Sequence, residues 1–246
     1  MYDSPLNRLI RSLEVDTAPL PQQERDAIMR LPVTIKDVAA DQDIVREGDR
    51  PSQCCVVVEG FQCRYKMLRD GERQIMSFHV PGDIPDLQSL FLSMMDHSLG
   101  TITPNRVAFI SHDALRELIR AHPHIAERLW RETLIDAAVF REWIANVGSR
   151  DAYTRIAHLI CEVYVRLRAV GLATGPTFDF PITQTELADA TGLSTVHVNR
   201  SIQQIRADGL IVWERGVCNI PDLKRLQDAG MFDASYLHMR GGEIAA

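Results

Sequence analysis

The sequence predicts an α+β chain in three successive parts: a β-rich N-terminal half, one long helix, and a C-terminal module of short helices and strands. Three patterns carry that expectation. Between about Ile35 and Ile110, short β-rich runs alternate with turn residues. From Ala126 to Val147, apolar residues recur at helical spacing. From Thr183 to Asp208, two helix starts flank a glycine turn. The corresponding domains are 1–120, with a helical lead-in before the strands, then 121–148 and 149–246.

The β-rich runs are "DIVREGD", "QCCVVVEGFQCRYKML", "RDGERQIMSFHVPGD" and "NRVAFI". Asp70-Gly71 lies between two of them, and both residues tolerate the positive φ of a tight hairpin turn. Several short strands at this spacing predict an antiparallel sandwich or barrel.

After Ser111 the period changes. "DALRELIRAH" reads as a short helix, and Pro123 suits the first position of the next one. Along that next helix Ala126, Trp130, Thr133, Ala137, Phe140, Ile144 and Val147 stand alternately four and three apart, a seam for a partner helix. A second stripe, Ile125, Leu129, Leu134 and Ala138, is expected to pack on the chain's own sheet. Two apolar faces predict a dimer helix; complete burial within one subunit is the alternative. Gly148 and Ser149 interrupt it, and another helix begins near Asp151 and ends before Gly171, Gly175 and Pro176.

In the C-terminal module Thr183 and Glu186 form a T-x-x-E capping box. Gly192 supplies a turn, Ser194 caps a second helix running to Asp208, and Gly209 stops it. Val198, Ile202 and Ile205 share its inner face, so Val196, Asn199, Arg200 and Gln203 face outward. "GLIVWERGVCNIP" then reads as two strands around Arg215-Gly216, a wing. The outward set suits a major groove: arginine can pair twice with guanine, Asn and Gln with adenine, and Val196 can touch a thymine methyl. The alternative is a small packing unit whose polar face is merely solvated.

Charge distribution fits DNA better than the total does. The 246-residue chain carries 27 Lys+Arg against 33 Asp+Glu, a net charge of −6. From Arg141 onward the balance is 11 against 12, so most of the excess acid lies before it. Thr195 to Arg206 holds two arginines and no acid, a stretch that phosphates can approach. Composition, 46% hydrophobic and 24% charged, is that of an ordinary globular protein. Five cysteines without C-x-x-C spacing argue against a disulfide framework or a zinc site. Charges interrupt the N-terminal "MYDSPLNRLIRSLEVD", so no signal peptide is expected, and no run approaches the roughly 18 apolar residues of a membrane span. A cytoplasmic protein without cofactor or metal is expected.

From Lys36 to Leu226 the order of motifs, "DIVREGD", "VVVEGFQCRYKMLRDGERQIMSFHVPGD", the long helix and "ITQTELADATGLSTVHVNRSIQQIRADGLI", resembles the cyclic-AMP receptor protein and fumarate-nitrate regulator (Crp/Fnr) family of bacterial transcription factors. The resemblance implies an N-terminal jelly-roll β-barrel, a long dimerisation helix and a winged helix-turn-helix. It also implies a homodimer that binds double-stranded DNA at an inverted repeat and contacts RNA polymerase. Thr195, Val196 and Arg200 match its base-reading positions, with Asn199 and Gln203 beside them on the same face. Thr183, Gln184 and Ser194 match phosphate-holding positions, with Arg206 nearby. Val196 stands where members often carry glutamate and Thr195 where some carry arginine, so no known operator transfers. His197 either reaches the DNA or packs at the helix edge.

The sensor positions depart further. Asp86 and Leu87 stand at the Gly-Glu positions that hold the cyclic-AMP ribose and phosphate, and His97 and Ser98 at the Arg-Ser positions. The ribose-holding glutamate is gone, a largely neutral histidine replaces arginine, and Asp86 repels phosphate. The effector is therefore an unidentified ligand, or there is none. An iron–sulfur cluster needs four thiolates, mostly near the N-terminus, and no cysteine precedes Cys54. Adjacent Cys54 and Cys55 point to opposite faces of a strand and read as buried hydrophobes, with a single redox-active thiol as the other reading. Haem would take His79, His97 or a cysteine. The rival from another class is a metal-dependent β-barrel enzyme using His79, His97 and His112, against which stands the lack of an H-x-H pair and of other catalytic motifs. A sensor whose DNA module has decayed is a third reading.

Overall fold

The computed structural model describes residues 5–15, 17–69 and 71–239. They fall into two compact units. The first runs up to Lys66 and adds Phe78–Ala137; the second holds Met67–Ser77 and the chain from Ala138 onward.

In the first unit, α1 (Asn7–Glu14) and α2 (Gln22–Met29) precede the strands β1 (Val33–Val38), β2 (Asp43–Val45), β3 (Gln53–Glu59), β4 (Gln62–Met67), β5 (Arg73–His79), β6 (Ser98–Thr101) and β7 (Asn105–Ser111). They form two sheets, ordered β1-β7-β3 and β2-β6-β4-β5. The expected jelly roll is built from this pair of sheets. Val45, Cys55, Met95, Leu99 and Val107 form the core between them. The opposite face of β3 and β7 presents Cys54, Val56, Ala108 and Ile110 to helical residues such as Leu9, Ile28, Leu115 and Ile125. Cys54 and Cys55 therefore do lie on opposite faces, as strand alternation requires. Asp70 of the expected Asp70-Gly71 turn lies outside the described residues; Gly71 has the positive φ of 86° that such a turn needs.

Two helices follow, α3 (His112–Ala121), capped by Ser111, and α4 (Pro123–Ser149). On α4, Ile125, Leu129 and Ala138 are buried as expected, but Leu134 is 51% exposed. Nine residues from Ile125 are two and a half turns at 3.6 residues per turn, which sets Leu134 on the side opposite Ile125. Leu134 shares that side with Trp130 and Ile144, 66% and 73% exposed, while the inward side is completed by Val139 and Trp143.

The second unit is built on α5 (Ala152–Ala169), where Asp151 accepts a bond from the Thr154 N–H at 2.8 Å and caps the helix. Residues 156–165 of α5 are buried without interruption. Around it lie α6 (Gln184–Thr191), α7 (Thr195–Ala207), α8 (Leu223–Ala229) and a sheet ordered β8 (Thr177–Asp179), β10 (Val217–Asn219), β9 (Val212–Glu214). β9 and β10 are the expected wing, turning at Arg215 (φ 50°) and Gly216 (φ 78°).

Candidate nucleic-acid interface

The local sequence fixes α6 and α7 at both ends. Thr183 Oγ1 accepts from the Glu186 N–H at 3.2 Å, and the Glu186 carboxylate accepts from the Thr183 N–H at 2.6 Å and its hydroxyl at 2.8 Å. Gly192 ends α6 in the left-handed region at φ 63°. Ser194 Oγ then accepts from the His197 N–H at 3.3 Å and caps α7. Val198, Ile202 and Ile205 are buried, as is Leu187 of α6, so the helix pair is held by an apolar seam. Burial of each such side chain contributes about 1.5–3 kcal/mol.

That seam rotates the expected residues outward. Thr195, Val196, Asn199, Arg200 and Gln203 are all exposed, Val196 by 75%. Asn199 Nδ2 donates to Gln184 Oε1 at 3.1 Å, tying the outer face of α7 to the start of α6. Among the described residues, Arg200 has no hydrogen-bond or ion-pair partner, leaving its guanidinium for a ligand. His197 sits at the helix edge with Nδ1 3.1 Å from Ser194 Oγ.

The positions expected to hold phosphates are less uniform. Gln184 and Ser194 are exposed, whereas the Thr183 hydroxyl proton is directed to Glu186. Arg206 is half-buried and donates to the Trp213 carbonyl of the wing. It nonetheless borders a cleft of about 300 Å³ lined also by Thr183, Gln184, Trp213 and Arg215.

The four sensor positions are buried and engaged by the chain itself. Asp86 Oδ1 accepts from the Cys55 N–H at 2.8 Å, and burial pushes its carboxyl up to about 7 against the pull of that bond. Leu87 belongs to the core beneath the helices. His97 Nδ1 lies 2.7 Å from Asp96 and its Nε2 3.3 Å from Gln88. Ser98 Oγ accepts from the Glu47 N–H at 3.1 Å. Sequence reasoning missed Arg64, a buried guanidinium that donates to the Pro85 carbonyl at 2.7 Å and pairs with Asp136 of α4 at 2.5 Å. Its only signal was position, two residues along β4 from the buried Gln62 and so on the same face.

The other candidate chemistries find separate environments. His79 bonds Asp83 at 3.1 Å and is driven down to about 4 by burial and then by Arg64, while His112 bonds Ser89 at 3.0 Å. Among the described residues, no group of three or more His, Cys, Asp or Glu is placed to hold a metal ion. None of the five cysteines forms a disulfide, and all are buried. Burial, then Asp86, pushes the Cys54 thiol up to about 12, the opposite of what a reactive thiolate needs. No helix of the described residues is long and apolar enough to cross a membrane.

Comparison with known proteins finds two domain families along the chain. Residues 35–122 match the cyclic nucleotide-binding domain and residues 154–229 the Crp-like helix-turn-helix domain. The transcriptional activator protein FnrL of Cereibacter sphaeroides is 29% identical over 78% of this chain and 78% of its own length. The nitrogen fixation regulation protein FixK of Bradyrhizobium diazoefficiens is 24% identical over 77% of this chain and 78% of its own. Among solved structures, FixK2 from Bradyrhizobium japonicum superposes with a TM-score of 0.74 at 24% identity, covering 81% of this chain and 98% of that one. With a cyclic nucleotide-binding domain followed in the sequence by a Crp-like helix-turn-helix domain, the chain belongs to the Crp/Fnr family of DNA-binding transcriptional regulators.

Proposed function

We propose that the protein acts as a cytoplasmic homodimer that reads an inverted-repeat operator through α7 and does so without cyclic AMP. The observation that carries the reading is the outer face of α7, where Thr195, Val196, Asn199, Arg200 and Gln203 are all exposed. Gln184, Ser194 and Arg206 hold the flanking phosphates, while Thr183, whose N–H and hydroxyl protons both go to Glu186, fixes the start of α6 beside them. Dimerisation is supported by the stripe on α4, where Trp130, Leu134 and Ile144 are exposed and Thr133, Ala137 and Phe140 lie alongside them, partly buried. Residues 121–148 thus serve as the dimer helix between a sensor domain, 1–120, and a DNA-binding domain, 149–246. Two copies of α7 in successive major grooves set half-sites roughly 34–36 Å apart.

Independence from cyclic AMP is supported by the sensor positions. Asp86 brings an acid to where phosphate would bind, and His97 and Ser98 are bonded to Asp96 and to the Glu47 N–H. The reading is of a regulator and not an enzyme, with activation through contact with RNA polymerase extended from the relatives named as activators. The test is selection of bound duplexes from a randomised pool by purified protein, with and without cyclic AMP. The expected result is one inverted repeat, enriched equally in both. Enrichment only with the nucleotide, or of an unsymmetrical site, overturns the reading.

A further inference from the structure

α4 ends at Ser149 and α5 begins at Ala152, so only Arg150 and Asp151 join the long helix to the DNA-binding module. So short a link leaves the angle between the helices to side-chain contacts. The contacts across it are polar and buried. The Glu162 side chain of α5 is fully buried and receives Trp143 Nε1 from the end of α4, at 3.1 and 3.0 Å to its two oxygens. Tyr236, from the segment after α8, donates to the same carboxylate at 2.7 Å, and Arg166 lies 3.8 Å away.

The C-terminal segment is fitted closely against this cluster. The Gly230 carbonyl lies 3.1 Å from His158 Nδ1, and a Cβ on Gly230 would stand 2.6 Å from the His158 backbone nitrogen. Tyr236 and its neighbours lie beyond the matched helix-turn-helix domain, which ends at residue 229. A second path runs from α4 to the recognition turn: Asn146 Nδ2 donates to the Arg155 carbonyl at 3.2 Å, and Arg155 Nη1 to the Thr191 carbonyl at 2.6 Å.

Apolar packing alone tolerates sliding between helices. Directional bonds converging from α4 and from the C-terminal segment onto one carboxylate are all satisfied at only one helix angle. We propose that Trp143, Glu162 and Tyr236 form a positioning element that fixes how the recognition helix is carried on α4, and thereby sets the half-site spacing the protein accepts. The inference rests on the homodimer reading above.

The test uses full-length protein, Tyr236→Phe and Trp143→Phe, each removing one donor to Glu162 while keeping a ring. Each is offered inverted repeats of the selected half-site whose spacer varies by single base pairs, together with the isolated half-site. The wild type should hold one spacing. In each variant that folds, its preference over spacers one base pair longer or shorter should fall about threefold or more, with half-site affinity unchanged. Unchanged preference in the variants, or a loss equal at every spacing, overturns the inference alone. A wild type indifferent to spacing overturns the dimer reading and the inference with it.

Discussion

Replacing Asp86 by Asn removes an ionisable group from the roll while keeping an oxygen that can accept from the Cys55 N–H. Asp86 is 1% exposed, and burial raises its carboxyl from 3.8 to about 7. The folded state therefore holds the proton more tightly than the unfolded chain. Below pH 3.8 the acid is neutral in both states and carries no penalty. As the pH rises toward 7, stability is lost at about 1.4 kcal/mol per pH unit, levelling near 4 kcal/mol above pH 7. Asp86→Asn escapes that loss. In denaturant titrations, its stability relative to the wild type should climb by about 3 kcal/mol from pH 5 to pH 8. Taking the difference between the two proteins cancels the histidines, whose lowered values push stability the other way. A gap that stays constant over that range would refute the account of Asp86 as a buried acid bound to the chain's own backbone.

Other positions give further tests. Ile144→Asp puts a charge into the exposed α4 stripe, and sedimentation should find monomers at concentrations where the wild type is dimeric; an unchanged dimer would move the interface elsewhere. Ser194→Ala removes the α7 cap and should cost about 1 kcal/mol in thermal unfolding. It should also weaken binding to all duplexes alike, without changing base preference. Gly230→Ala drives a methyl into the α5 backbone and should destabilise by about 1–3 kcal/mol, whereas a neutral outcome would mean that the C-terminal segment does not pack as described.

Much of the recognition module was legible because its determinants are local. A capping box, an αL glycine and a serine cap each depend on a few neighbouring residues, and the buried Val198, Ile202 and Ile205 then dictate which side chains turn outward. The α4 stripe was legible in outline, but Leu134 went to the wrong side because a spacing of four and five does not hold a face on a helix of 3.6 residues per turn. What sequence did not reveal depends on distant partners. Arg64 meets Asp136 seventy-two residues away, and Glu162 meets Tyr236 seventy-four away. β8 was missed for a similar reason, since three residues after Gly175-Pro176 become a strand only by pairing with β10. At the sensor positions the sequence showed which family residues were replaced, and the fold added that the replacements are engaged by the chain itself.

If two copies of α7 read one symmetric operator, Arg200 makes a base contact from each. The most direct measurement is duplex selection repeated with Arg200→Ala beside the wild type. Base preference should disappear at two positions related by the operator's dyad while all others persist, with affinity for the best site lower by about 1–3 kcal/mol. Loss at a single position, uniform loss across the site, or an unchanged motif would contradict that reading.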